Sequence, residues 1–138
     1  YRVTERVRLD PARVPDGERS DVLAQVALLR RPASMTREEY LEYWLVHHTP
    51  IAIRTQATFG YLQNIVEEAL TPGSPEISAV VEELFPMAGM TDPHAFYGSD
   101  GDEAELHRRF TELMASVSRF GADQGLDLVP TSRYSWSL

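Results

Sequence analysis

Residues 22–29 read Val-Leu-Ala-Gln-Val-Ala-Leu-Leu, an apolar run interrupted only by Gln25. Its length suits a strand with both faces buried. A chain that carries such a strand has to build a sheet and cover it on two sides, which sets the terms for everything downstream. A helix is expected over about 37–48, strands over Tyr61 to Val66 and Ala79 to Phe85, and a loop at Thr71-Pro72-Gly73-Ser74-Pro75 between them. Asp92-Pro93 caps a short helical turn that holds His94, Phe96 and Tyr97. A long helix then runs from about Glu103 to Phe120, with Leu106, Phe110, Leu113, Met114, Val117 and Phe120 on one stripe and Gly121 as its stop. Leu126 to Val129 and Arg133 to Leu138 supply a last strand or pair of strands.

The order β-α-β-β-α-β is the ferredoxin-like, split βαβ pattern of the α+β class. Residues 21–138 are read as that single domain. Residues 1–20 are read as an N-terminal extension: Tyr1 to Leu9 is mixed in character and can give one edge strand, and Asp10 to Asp21 is rich in turn residues. Both helices of such a fold lie on one sheet face, yet residues 22–29 offer apolar side chains to both. A bare apolar face is a liability in a monomer. The expectation is therefore a homodimer through the open sheet face, closing a dimeric α+β barrel.

The helix over 37–48 is the most informative stretch. Thr36 followed by Glu39 is a capping box. At about 100° per residue, Tyr40, Leu41, Trp44, Leu45 and His48 share one face, and Glu38, Glu39 and Glu42 the other. His48 thus points inward among aromatic and aliphatic side chains, where an imidazole is costly unless its nitrogens are satisfied. A hydrogen-bonded core role and a catalytic role are both open for it. Thr49 is expected to cap a second short helical segment that Pro50 opens.

Tyr43-Trp44 followed by His48-Thr49-Pro50 resembles the Tyr-Trp-x-x-x-His-x-Pro signature of the EthD family, small dimeric α+β-barrel proteins named for a role in ethyl tert-butyl ether breakdown. Gly60-Tyr61-Leu62-Gln63-Asn64 is similar to that family's second strand, which commonly runs Tyr-x-x-Asn-His; here Ile65 stands at the position of the second histidine. Val80 to Phe85 is similar to its third strand, with Glu82 at the acidic position. The resemblance runs from about Val22 to the C-terminus, is specific around residues 40–64 and loose after Phe85. It implies the same dimeric barrel and a ligand cleft between sheet and helices.

That cleft would draw Tyr40, Trp44 and His48 from the first helix, Tyr61 or Asn64 from the second strand, and Phe96 and Tyr97 from the short helical turn. An apolar, aromatic pocket with few polar groups is the usual makeup of a small-molecule site. His48 is the expected general acid or base, because imidazole exchanges a proton near neutral pH. The leading functional expectation is a cofactor-free enzyme performing cyclisation, dehydration, isomerisation or decarboxylation on a hydrophobic polyketide-like or aromatic substrate. Two alternatives stand beside it: a cofactor-free monooxygenase of electron-rich phenols, and a non-catalytic module that binds a hydrophobic metabolite. Which of Glu82 and Glu83 faces the cleft is open, since neighbours on a strand point oppositely.

Composition narrows the partners. Thirteen basic against 21 acidic residues give a formal charge of −8, which disfavours nucleic acid and anionic membranes. No apolar run approaches the ~18–20 residues needed to span a bilayer, and no segment reads as a signal peptide, so a cytoplasmic location is expected. Cysteine is absent, excluding thiolate chemistry. No metal is expected, because the four histidines form no i,i+4 pair and the adjacent His47 and His48 diverge by about 100° on a helix. His94 is read as a surface or pocket-rim residue and His107 as a partly buried packing residue.

Overall fold

The computed structural model describes residues 1–137. Strand β1 (Arg2–Leu9) precedes β2 (Leu23–Leu29). A helical stretch follows, made of α1 (Arg37–Glu42), a π-helical segment (Tyr43–His48) and α2 (Thr49–Thr55). Next come β3 (Gly60–Glu68), β4 (Ala79–Phe85), a 3-10 turn (Met87–Met90), α3 (Pro93–Tyr97), α4 (Glu103–Arg119) and β5 (Asp127–Thr131). The fold is α+β: five strands make one antiparallel sheet in the order β1-β3-β4-β2-β5.

Local signals account for several element ends. Thr36 and Glu39 form the reciprocal capping box, Asp92 accepts from the His94 N–H, and Asp102 accepts from the N–H groups of Ala104 and Glu105. Gly121, at φ +72°, ends the long helix. A Cβ there would also sit 2.8 Å from Pro32 Cγ.

The first helix departs from expectation in an instructive way. Thr49 does not cap a new helix; it is itself helical, at φ −53° and ψ −48°, and the helix runs on through it. Pro50 has no N–H to offer the carbonyl four residues back, and its ring crowds that carbonyl in an ordinary α-turn. The wider π turn relieves the conflict, as such bulges do inside longer helices. Both the N–H and the hydroxyl of Thr49 bond to the Trp44 carbonyl, the latter at 2.9 Å.

Strand alternation sorts side chains between two faces. Gln25, Ala27 and Leu29 of β2, Tyr61, Gln63 and Ile65 of β3, and Ala79, Val81, Glu83 and Phe85 of β4 look toward the helices. Of this set, Ala27, Leu29, Tyr61, Ile65, Ala79 and Val81 form the main core with Tyr40, Trp44, Ala52, Leu113 and Phe120. Ala24, Val26 and Leu28, Leu62 and Asn64, and Val80, Glu82 and Leu84 take the other face.

That other face is not bare. Residues 10–22 and 132–137 fold back over part of it, joined by Gly17 N–H to Ser135 O and Ser20 N–H to Arg133 O, both 2.9 Å, and by the Asp16 carboxylate to Ser137. Arg133 pairs with Glu82 at 3.0 Å, and Val22, Ala24 and Leu84 make a small second core beneath. The extension also contributes β1, whose exposed, charged sequence suits a sheet edge. Tyr134 makes only an isolated bridge to Arg19, so the second strand expected over 133–138 is a tail; Leu138, its last residue, lies outside the described residues.

Candidate functional site

Between the sheet and the helices lies a cavity of about 330 Å³. Its walls are Trp44, Phe120, Leu113, Val117, Phe96, Tyr97 and Val81, and its polar lining is Gln25, His48, Gln56, Tyr61 and Glu83. Leu126 and Leu128, 39% and 49% exposed, and the exposed Asp123 mark its mouth. No lysine or arginine is among the lining residues.

The π turn delivers two of these groups, since Trp44 and His48 are its buried members. It is pinned to the sheet from below, where Gln63 Nε2 donates to Thr49 Oγ1 at 2.8 Å. His48 Nδ1 lies 2.9 Å from Ser116 Oγ of α4, and its ring packs 4.8 Å from that of Phe120. Nε2 has no hydrogen-bond partner among the described residues. Burial lowers the imidazole to about 4, because the charged form loses its hydration. At neutral pH His48 is therefore uncharged and able to accept a proton.

Glu83 is the second titratable group. It pairs across the sheet with Gln25 on one side and Tyr61 on the other, so β2, β3 and β4 present one polar row on the cavity floor. Removal from water raises its carboxyl to about 7, which leaves it ready to give or take a proton near neutrality. With its NH2 turned toward the acceptors around it, the Gln56 amide donates to Ala52 O at 3.1 Å and to Glu83 Oε1 at 3.2 Å. Burial, and then the neighbouring Glu83 charge, push the Tyr61 hydroxyl above the ordinary tyrosine range. Trp44 Nε1 and Gln63 Oε1 are buried without a partner among the described residues.

Of the residues expected in the cleft, His48, Trp44, Tyr61, Phe96 and Tyr97 meet here. Phe96 stacks on Phe85 at 4.2 Å and Tyr97 meets Phe96 edge-on at 5.0 Å, and Arg109 holds the Tyr97 carbonyl at 2.8 Å. Two residues are not brought in. Tyr40 lies behind Trp44 and Phe120, lining a separate polar hollow whose Arg37 is already paired with Glu67. Asn64 sits opposite Val80 and Glu5 on the far sheet face. Glu82 shares that face, which settles the two glutamates: Glu83 is the one in the cavity.

Gln25, Gln56 and Ser116 were not anticipated. Gln25 carried the one available signal, as the sole polar break in residues 22–29. His94 is half-buried outside the cavity, between Ser99 and Glu103, and His107 is exposed rather than packed. Among the described residues no group of three or more His, Asp or Glu is disposed to hold a metal ion, and no helix is long and apolar enough to cross a membrane. No protein-family model matches the sequence, and no curated protein matches it either.

Proposed function

We propose that this chain is a small-molecule enzyme of the EthD-like dimeric α+β-barrel type, moving protons on a hydrophobic polyketide-like or aromatic substrate without a cofactor, with His48 as general acid or base. The observation that carries the reading is the apolar cavity of about 330 Å³ that both His48 and Glu83 line. Hydrophobic walls hold a flat organic body, and two titratable groups of opposite tendency can share a proton-transfer step. The ferredoxin-like assignment is supported by the strand order: without β1 it reads β5-β2-β4-β3, so the two βα units interleave as the split βαβ pattern requires.

His48 enters such a step neutral, with Nδ1 oriented by Ser116 and Nε2 available to an enolisable C–H or a hydroxyl. Catalysed hydrogen–deuterium exchange at C1 of 2-tetralone, followed by NMR, tests this without the natural substrate. The expected result is exchange faster than buffer, lost in His48→Ala. Exchange no faster than buffer, or unchanged in the variant, refutes the proposal. The His48–Ser116 bond also favours a second reading, a binding module whose histidine is structural; ligand binding without any exchange is its signature.

A further inference from the structure

We infer that Glu83 selects the ligand class: the cavity admits neutral molecules bearing a phenolic or enolic hydroxyl, which Glu83 engages, and turns away carboxylates and phosphates. This rests on the small-molecule reading above and names what that site will take.

Three observations converge. First, the only charged side chains among the lining residues are acidic: Glu83 on the floor and Asp123 at the mouth. His48, the one group there that can become a cation, is held neutral by burial. An anionic ligand would lose its hydration inside with no counter-charge to replace it, and the carboxylate on the floor would repel it. Second, hydrogen-bonding capacity on the floor is left over. The side-chain amide of Gln25 makes no hydrogen bond among the described residues, and the bond from Gln56 reaches Oε1 of Glu83 and leaves Oε2 to a ligand. Amides beside a carboxyl can meet a hydroxyl as donor and as acceptor, whichever way its proton points. Third, the rest of the lining is aromatic or aliphatic, so the hydroxyl must sit at one end of an apolar body.

Two ligands of the same ring system separate the possibilities: 1-naphthol and 1-naphthoate, titrated against the full chain by Trp fluorescence and calorimetry. At about pH 7.5, 1-naphthol is expected to bind about tenfold or more tightly than 1-naphthoate, a discrimination produced by repulsion rather than by better contacts. Glu83→Gln keeps the side-chain volume and removes the charge, and should bring the two within about threefold, mainly by admitting the naphthoate. Glu82→Gln, on the far sheet face, should leave the ratio as in the wild type.

Wild type at about pH 5.5 gives the same reading without substitution, since Glu83, raised to about 7, is protonated there while the naphthoate stays ionised. The other titratable groups facing it are Tyr61 from β3, Tyr97 from α3, His48 from the π turn and Asp123 at the mouth. The first three stay uncharged across that range. Naphthoate binding as tight as naphthol, or a ratio indifferent both to Glu83→Gln and to pH, overturns the inference while leaving the cavity reading intact. Failure of both ligands to bind overturns the cavity reading and this inference with it.

Discussion

Glu83→Gln should make the stability of this protein respond to pH differently from wild type, with a sign and size that follow from the cavity. In the folded chain the carboxyl is raised from its ordinary 4.5 to about 7 by loss of water. Between those values the folded state holds a proton that the unfolded chain has already released. Stability therefore falls as pH rises through that window. Each pH unit is worth about 1.4 kcal/mol, which caps the effect at about 3 kcal/mol. Glu83 keeps part of its surface accessible, and screening there lowers the working figure to about 2 kcal/mol.

His48 contributes the opposite slope. Its imidazole is lowered from 6.5 to about 4, so its contribution is lost as pH falls from 6.5 toward 4. In wild type the two slopes offset each other over much of the mildly acidic range. The difference between variant and wild type removes what they share. Urea unfolding of both proteins from about pH 4.5 to about pH 8, at one protomer concentration and with m-values compared, gives that difference. The variant should gain about 2 kcal/mol relative to wild type across the range. A difference that stays flat within about 0.5 kcal/mol would show that the carboxyl is not desolvated and would remove the electrostatic basis of the site.

Three further outcomes are expected. Thr49→Val deletes the hydroxyl between the Trp44 carbonyl and Gln63 Nε2; leaving that buried amide unpaired should cost about 1–3 kcal/mol, read from the urea midpoint, and an unchanged midpoint would mean the π turn is not pinned there. Gly121→Ala must adopt φ +72° against Pro32 and should cost about 1–3 kcal/mol, whereas a neutral result would place the helix stop elsewhere. Val7, Val129 and Trp136 remain 48%, 46% and 63% exposed on or beside the open face, so the dimer proposed above should appear in light scattering at micromolar concentration, and a monomer there would refute it.

Much of the secondary structure was legible because its causes are local. The capping box at Thr36, the Asp92-Pro93 start and the glycine after Phe120 each act within a few residues. The limits of β4 match the expected Ala79 to Phe85 for the same reason. The inward direction of His48 and Trp44 followed from helical spacing and survived the π turn, since both remain buried. Phe110 shows where spacing alone falls short: it lies on the apolar stripe of α4 yet is 47% exposed, packing edge-on to Tyr97 at the end of the core.

Phase along the strands was a different matter. Val80 and Val81 are both apolar and Glu82 and Glu83 both acidic, so the sequence of β4 reads the same for either face. Only pairing with β2 and β3 decides that Val81 and Glu83 look toward the helices and Glu82 toward Arg133. The same phase sends Asn64 away from Tyr61 and out of the cavity.

By itself, then, the sequence determined most of the helix and strand segments, the α+β class, and an inward histidine beside a tryptophan, because propensity, capping and periodicity are short-range. The tertiary structure alone decided that Glu83 and not Glu82 enters the cavity, that Ser116 from 68 residues away orients His48, and that residues 10–22 and 132–137 fold over part of the far sheet face. Those outcomes depend on register and on contacts between distant segments, which no local pattern encodes.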